Sequence, residues 1–304
     1  MTITGSTSHT PNGTQYSLTN VLDATVGNVA FAGACLLIHP AAGNKALLAA
    51  GTSDGITGFG VITGACSLYT PGAGNGTWAA TGSLAQARCG FAFVQRTDGS
   101  VMAIGGHYAA PLTSCETYSP IASTWTTSGA LNLARTQPEA IQLNNTDILV
   151  AGGRTNTLTF LDYTTLTDIG AVTDTCETYN ISGNAWSYVG KMSIARVGHK
   201  LFKLDDGRVI AIGGIGYNPT QGTTNAYLNS TEIYDPNLKY WSKGPSMAVP
   251  RAFFAAGRIG NSIYVMGGSE TSTVIEYLDT VSMKWKTSMA AMVSPTVKLT
   301  GTVT

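Results

Sequence analysis

The sequence has few charged side chains, and the two signs cancel. Lys and Arg together number 17, Asp and Glu also number 17, and charged residues make up 11% of the 304-residue chain. A neutral, charge-poor surface lacks the basic patch that neutralises nucleic-acid phosphates. It also lacks the polybasic segment that attracts anionic lipid. We therefore expect no nucleic-acid partner and no membrane insertion.

Long apolar runs and targeting signals are missing as well. No apolar run approaches the length of a membrane span. The opening residues, MTITGSTSHTPNG, have neither the basic region nor the apolar region of a secretory signal. The sequence therefore predicts no signal peptide and no transmembrane segment, which places the protein in a virion or in the cytoplasm.

Cysteine and histidine are scarce, which argues against disulfide and metal chemistry. An odd number of cysteines does not make a closed disulfide framework, and the histidines show no metal-ligand spacing. The cysteines are Cys35, Cys66, Cys89, Cys115 and Cys176, and the histidines are His9, His39, His107 and His199. The sequence also contains no phosphate-binding loop and no dinucleotide fingerprint. We expect no metal, no cofactor and no catalytic residue.

Glycine-ended apolar strands repeat along the chain. The phrases VMAIGG, ILVAGG, VIAIGG and IYVMGG end at Gly106, Gly153, Gly214 and Gly268, and a weaker copy, ALLAAG, ends at Gly51. A turn and another apolar strand precede each phrase, which is the pattern of a β-hairpin. Internal repeats of this length indicate a repeat architecture.

A third and a fourth strand follow each hairpin at regular spacing. The third ends in tyrosine at Tyr69, Tyr118, Tyr179 and Tyr234, with Leu278 in the fifth copy, and the fourth opens with Trp78, Trp125, Trp186, Trp241 and Trp285. Ten residues after each tryptophan stand Arg88, Arg135, Arg196, Arg251 and Pro295. This order of apolar strand, Gly-Gly, Tyr and Trp resembles the kelch repeat over nearly the whole chain. The resemblance implies an all-β fold, a β-propeller of four-stranded blades.

The ends of the chain complete the predicted ring. We expect a single six-bladed kelch-type β-propeller domain over residues 1–304, with full blades at 29–85, 86–132, 133–193, 194–248 and 249–294. Residues 1–28 and 295–304 then form the closing blade, in which one C-terminal strand joins three N-terminal strands. Closure of this kind removes free sheet edges. Five-bladed and seven-bladed rings remain alternatives.

Arginine and glutamate occur together, blade by blade. The four copies that have the arginine also have a glutamate two residues before the tyrosine position, and the other copies lack both. The pairs are Arg88 with Glu116, Arg135 with Glu177, Arg196 with Glu232 and Arg251 with Glu276. A planar guanidinium suits a carboxylate partner, so we expect structural ion pairs within blades. The alternative is a ring of arginines exposed to a carboxylate ligand. Cys66, Cys115 and Cys176, each next to the glutamate position, are expected to fill the core.

The loops from the second to the third strand of each blade vary most in length. Variable loops on a rigid scaffold usually carry recognition, although they could equally only cover neighbouring blades. The candidate binding residues in them are His107, Arg154, Phe160, Tyr163, Tyr217 and Tyr227.

The predicted function is a non-catalytic binding or structural propeller. A lysine-poor chain rich in Thr, Ser, Ala and Gly, with no room for a helical partner domain, is typical of a component of a larger assembly. We favour a phage virion, as a tail or decoration protein that contacts protein partners or glycans. The alternative is a carbohydrate-active enzyme, either a hydrolase or an isomerase similar to sialic-acid mutarotases, which also resemble six-bladed kelch propellers. Fold alone does not decide between them.

Overall fold

The structure is a computed structural model that describes strands within residues 7–52 and the ranges 61–71, 76–156, 172–218, 223–269, 271–292 and 302–303. Every regular element in these ranges is a β-strand. Across the same ranges there is no helix with the length and apolar character needed to cross a membrane. The all-β class predicted from the sequence is confirmed.

The first ten strands form a hairpin and two antiparallel four-stranded sheets, which belong to one compact unit. The hairpin consists of β1 (Thr7–His9) and β2 (Gln15–Ser17). The first sheet consists of β3 (Gly33–His39), β4 (Gly43–Thr52), β5 (Ile62–Thr70) and β6 (Thr77–Thr81). The second consists of β7 (Ala92–Gln95), β8 (Val101–Ile104), β9 (Cys115–Ser119) and β10 (Thr124–Ser128).

The remaining strands belong to a second compact unit, which holds three larger sheets. The third sheet of the chain has β11 (Glu139–Gln142), β12 (Asp147–Ala151), β13 (Cys176–Asn180) and β14 (Ala185–Tyr188). The fourth has β15 (Lys200–Lys203) and β16 (Val209–Ile212), then a separate hairpin of β17 (Ile215–Asn218) and β18 (Thr223–Tyr227), then β19 (Thr231–Asp235) and β20 (Tyr240–Lys243). The fifth has β21 (Ala255–Ile259), β22 (Ser262–Met266), β23 (Val274–Asp279), β24 (Lys284–Ala291) and β25 (Thr302–Val303).

Each of the five sheets contains four antiparallel strands that pair in chain order, and these are called first to fourth below. In the fourth sheet the hairpin of β17 and β18 stands between the second strand, β16, and the third, β19. The second strands β8 and β16 are buried at every position. Strands covered on both faces become continuous apolar runs instead of alternating ones. The covering comes from adjacent sheets: one apolar cluster joins β15, β16 and β19 to β21, β22 and β23, with Phe254 and Ile263 among its buried members.

Tyrosine and tryptophan face each other across the third and fourth strands. Tyr118 lies opposite Trp125, and their ring centroids are 5.2 Å apart. Tyr234 and Trp241 repeat this arrangement at 5.2 Å. Cross-strand aromatic pairs stabilise a sheet beyond the area they bury. The equal spacing from Tyr118 to Trp125 and from Tyr234 to Trp241 therefore reflects a turn of equal length, whereas the spacing from Tyr69 to Trp78 in the first sheet is longer.

In four copies that turn contains a residue in the left-handed region of φ, and this residue is not a glycine. Ser123, Asn184, Lys239 and Met283 occupy the same turn position, with φ values of 55°, 49°, 52° and 52°. Non-glycine residues adopt this conformation at a cost, so the surroundings must hold it in place. In two copies the holding contact is a backbone hydrogen bond from the glycine that follows the preceding sheet's tryptophan: Gly82 N donates to Ser123 O, and Gly190 N donates to Lys239 O.

The Gly-Gly pairs lie against the backbone of the next sheet's arginine. Gly214 N donates to Arg251 O at 2.7 Å, and Gly106 N donates to Arg135 O at 2.9 Å. The first glycine of the pair has positive φ, +62° at Gly213, and a Cβ there would lie 2.6 Å from Arg251 O. Glycine is therefore required by both conformation and space.

Replacing Gly213 by alanine tests that double requirement. Gly207 is the matched control, since its φ is +87° but a Cβ there would meet nothing within 4 Å. We expect Gly207→Ala to cost about 1–2 kcal/mol for the left-handed conformation alone. Gly213→Ala should cost more, because it adds a clash with a main-chain oxygen. Urea unfolding of both variants measures the difference, and equal losses would contradict the close approach.

The predicted closing blade lies mostly outside the described residues. The second strand expected at 1–5, the fourth strand near 23–28 and the start of the C-terminal segment at 295–301 are not among them. The hairpin of β1 and β2 includes Tyr16, in the predicted third strand. Thr302 and Val303 of β25 pair in parallel with Ala256 and Gly257 of β21. The one-plus-three closure therefore stays a prediction.

Candidate functional site

Arg88, Arg196 and Arg251 each donate hydrogen bonds to both ends of the variable loop in their own sheet. Arg88 Nη1 donates to Gly105 O and to Ser114 O, each at 2.7 Å. These two carbonyls belong to the residues where the chain leaves the second strand and enters the third. Two hydrogen bonds from one charged nitrogen therefore close the base of the loop.

The same clasp recurs in the second unit around loops of other lengths. Arg196 Nη1 donates to Gly213 O and Ser230 O, each at 2.9 Å, although the hairpin of β17 and β18 lies between them. Arg251 donates from Nη1 to Gly267 O and from Nη2 to Val274 O, across a much shorter segment. The clasp is thus independent of what the loop contains.

The glutamate completes the clasp from the third strand. Glu232 Oε1 accepts from Arg196 Nη2 at 2.9 Å, while its carboxylate also accepts from the backbone amides of Ser193 and Ile194. Arg88 and Glu116 are 2.8 Å apart, Arg251 and Glu276 are 3.2 Å apart, and both carboxylates likewise accept two backbone amides from the segment before the arginine. Each carboxylate therefore binds the fourth-to-first-strand connection to the third strand.

All four arginines are fully buried, and so are their glutamates. The exposed fraction is 0% for Arg88, Arg135, Arg196 and Arg251 and at most 3% for Glu116, Glu177, Glu232 and Glu276. Burial lowers the pKa of Arg196 and Arg251, and the neighbouring glutamates oppose that shift. A guanidinium without solvent exposure does not meet a ligand, so the alternative of an exposed arginine ring is wrong for this structure.

Glu232→Gln tests the clasp as a stability element. The change leaves the Arg196 charge buried without its counter-ion, and we expect a loss of about 3–5 kcal/mol in the free energy of unfolding. Asp205→Asn is the control, since Asp205 pairs with Arg258 at the surface and exposed pairs contribute below about 1 kcal/mol. Chemical denaturation measures both, and comparable losses would refute a structural role for the buried pair.

The candidate recognition loops are described only in part. Phe160 and Tyr163 lie outside the described residues, and Tyr217 is placed only as backbone of β17. His107 is 6% exposed, so its ring is covered instead of presented. Arg154 is half-buried and forms a β-bridge with Val172. The next residue after His107, Tyr108, is 50% exposed and was not predicted.

An apolar cluster underlies the loops of the second unit. Val197, Ile215 and Ala252 form its buried part, and Val172, Tyr227 and Phe253 pack against it with their rings or methyl groups partly exposed. Tyr227 was predicted as an exposed contact residue, whereas here one side of its ring is covered by this cluster. The long loop contains the hairpin of β17 and β18. Recognition of these two strands in the sequence is the signal that could have revealed the packing of Tyr227.

His199 is a buried histidine without catalytic surroundings. It occupies the position of Phe91 and Phe254 three residues after the arginine, and it lies against Gly152 and Gly214. Neither ring nitrogen has a hydrogen-bond partner in the described part of the chain. Burial, with the charges of Arg196 and Lys200, lowers the pKa of His199 to about 3. The residue therefore serves as a neutral aromatic filler.

Acid should destabilise the protein partly through His199. Because its folded-state pKa lies below the ordinary value, the unfolded chain binds an extra proton between pH 6.5 and about 3. Stability is complete above pH 6.5 and falls by about 1.4 kcal/mol per pH unit below it. His199→Phe should remove this component, so its advantage over wild type grows by about 2 kcal/mol from pH 7 to pH 5. Parallel stability curves for the two proteins would contradict the assignment.

The described cysteines are buried thiols. They are Cys66, Cys89, Cys115 and Cys176. Burial raises the pKa of Cys66, and it raises the pKa of Cys89 to about 11, so both remain neutral thiols. Cys66 and Cys176 belong to apolar clusters between sheets. No set of three or more His, Cys, Asp or Glu side chains suited to a metal is found in the described ranges.

Comparison with known proteins confirms the resemblance to the kelch repeat. Residues 204–248, which include β16, β19 and β20, match the family model described as the Kelch motif. Alpha-scruin of Limulus polyphemus is 27% identical over 180 residues, 56% of this chain and 18% of that protein. Kelch-like protein 15 of Danio rerio is 29% identical over 107 residues, 34% of this chain and 18% of that protein.

A further relative and a solved structure extend the comparison. An F-box/kelch-repeat protein of Arabidopsis thaliana is 29% identical over 96 residues, 32% of this chain and 24% of that protein. The chain thus spans about a quarter or less of these curated relatives. The solved structure titled "Structure of YjhT" aligns with a TM-score of 0.52 and 16% identity, over 68% of this chain and 66% of that one. Identity this low supports a shared fold alone.

Proposed function

We propose that this kelch-repeat chain is a non-catalytic binding module that contacts a protein partner through the loops between its second and third strands. One observation carries the proposal: the same buried arginine clasp closes loops of very different length, as Gly105 with Ser114 and Gly213 with Ser230 show. A scaffold that holds constant anchors lets the loop sequence change without loss of fold, which is how recognition surfaces are usually built. The kelch-repeat relatives are consistent with a binding role.

The finer parts of the proposal rest on the sequence. Five repeats and the complementary chain ends favour a six-bladed ring, and the low lysine content favours a component of a larger assembly such as a phage virion. Glycans are the second class of ligand we consider, since Tyr108 and Tyr227 offer partly exposed rings. We assign no catalytic residue, because the buried Arg–Glu pairs already bind backbone carbonyls and amides, as Arg196 and Glu232 do.

Site-specific photo-crosslinking tests which end of a sheet meets the partner. A photoreactive phenylalanine replaces Tyr108, 50% exposed in the second-to-third-strand loop, or Ile121, 71% exposed in the third-to-fourth-strand turn of the same sheet. In the cells that make the protein, we expect a discrete crosslinked product at position 108 and none at position 121. The two sites lie beyond opposite ends of β9 in one sheet, and both are exposed.

Three outcomes would contradict the proposal. Crosslinking at 121 but not at 108 would move the interface to the other end of the sheet. A monomeric mass for the purified protein together with specific binding on a glycan array would replace the assembly role by a glycan-binding one. Acceleration of sialic-acid mutarotation or of glycan hydrolysis, followed by proton NMR, would restore the enzymatic alternative.

A further inference from the structure

Cys89 and His107 form a hydrogen-bonded cross-strand pair. Cys89 N donates to His107 O at 3.0 Å, and His107 N donates to Cys89 O at 2.8 Å. In a pair that exchanges both hydrogen bonds, the two Cα atoms lie about 5.5 Å apart and the side chains leave on the same face. A thiol and an imidazole are therefore neighbours by backbone geometry alone.

The imidazole of this pair is buried without hydrogen bonds. His107 is 6% exposed, and neither Nδ1 nor Nε2 has a partner within the residues that the structure describes. Buried polar atoms are almost always hydrogen-bonded, so an exception of this kind needs an explanation. Cys89 is free and 3% exposed, which leaves a sulfur and a nitrogen donor together in a dry setting.

The β-bridge at this position does not require a cysteine and a histidine. In the fourth sheet the equivalent positions hold Val197 and Ile215, which exchange the same two hydrogen bonds at 3.0 and 2.8 Å. There the pair is part of an apolar cluster. The repeat thus accepts two aliphatic side chains at this place, and the second sheet has exchanged them for a cysteine and a histidine.

We infer that Cys89 and His107 bind a thiophilic metal ion, Cu(I) in particular, at the base of the loop that begins at His107. Thiolate sulfur and imidazole nitrogen are the ligands that soft ions prefer, and two donors satisfy Cu(I), which accepts linear coordination. The neutral thiol of Cys89 loses its proton to solvent as Cu(I) binds, since the metal displaces the proton from the sulfur. The surroundings favour a fixed geometry, because the preceding residue, Arg88, is held in the buried clasp. Tyr108, the residue after His107, is half exposed.

Anaerobic titration of the intact reduced protein with Cu(I), in competition with a chromophoric Cu(I) chelator, tests the inference. We expect an endpoint of one ion per chain for wild type, its loss in Cys89→Val and in His107→Ile, and a rise in Tm on binding that both variants lack. These substitutions install the residues of the fourth sheet, so the fold has a precedent for them. Cys115→Val is the control, since Cys115 is a similarly buried cysteine of the same sheet.

The outcomes that overturn the inference are distinct from loss of fold. Wild type that does not compete with the chelator, a one-ion endpoint that survives in Cys89→Val, or an endpoint lost in Cys115→Val would each refute the site. The apo Tm of every variant is measured beside the titration, and X-ray absorption on the loaded protein should show one sulfur and one nitrogen neighbour. A spectrum with sulfur ligands only would exclude His107.

Discussion

The buried guanidinium is the constraint on which the four repeats that carry an arginine depend. Desolvating a full charge is costly, and the cost is offset only when geometry supplies an opposite charge and hydrogen bonds for the remaining protons. Arg196 meets that condition with Glu232, Gly213 O and Ser230 O. Its own carbonyl accepts from Gly153 of the preceding sheet. One residue therefore joins its ion-pair partner, both ends of a loop and a neighbouring sheet.

This arrangement explains why some positions of the repeat are uniform and others are free. The Gly-Gly pair recurs in four copies because a main-chain oxygen lies close to where its first Cβ would be, as at Gly213 and Arg251. The first copy has Ala50 at this position, with a φ of 55°. The glutamate must recur because two backbone amides and a guanidinium converge on it, as at Glu276. Between the clasped ends nothing is specified, so the fourth sheet accommodates the hairpin of β17 and β18.

Much of the fold could be predicted because its signals are local and repeated. The recurring tyrosine and tryptophan predicted a third and a fourth strand, and the structure pairs these strands across a turn, with Tyr234 opposite Trp241. The left-handed residue in that turn could not be predicted, because Lys239 and Met283 carry no conformational signature. At Lys239 a contact from outside the strand accompanies this conformation, since Gly190 N of the preceding sheet donates to the Lys239 carbonyl. A conformation that depends on a contact from another part of the chain cannot be recognised in the residues of the turn itself.

The candidate site was harder to predict for the same reason. Loop length and aromatic content pointed to His107 and Tyr227, but whether a ring faces solvent depends on which strand crosses beneath it. His107 is paired with Cys89 through a β-bridge and is buried, and the cluster around Ile215 covers one side of Tyr227.

Comparison of equivalent positions among the copies supplies the information that the local sequence lacks. The bridge position accepts an aliphatic pair in the fourth sheet, so a cysteine and a histidine there in the second sheet are not explained by the framework. His199 illustrates the opposite case. The equivalent positions in two other sheets hold Phe91 and Phe254, and the neutral ring of His199 fills the same space. A departure from the repeat indicates function when it introduces chemistry that the position does not need, and only packing when the replacement keeps the shape and the charge.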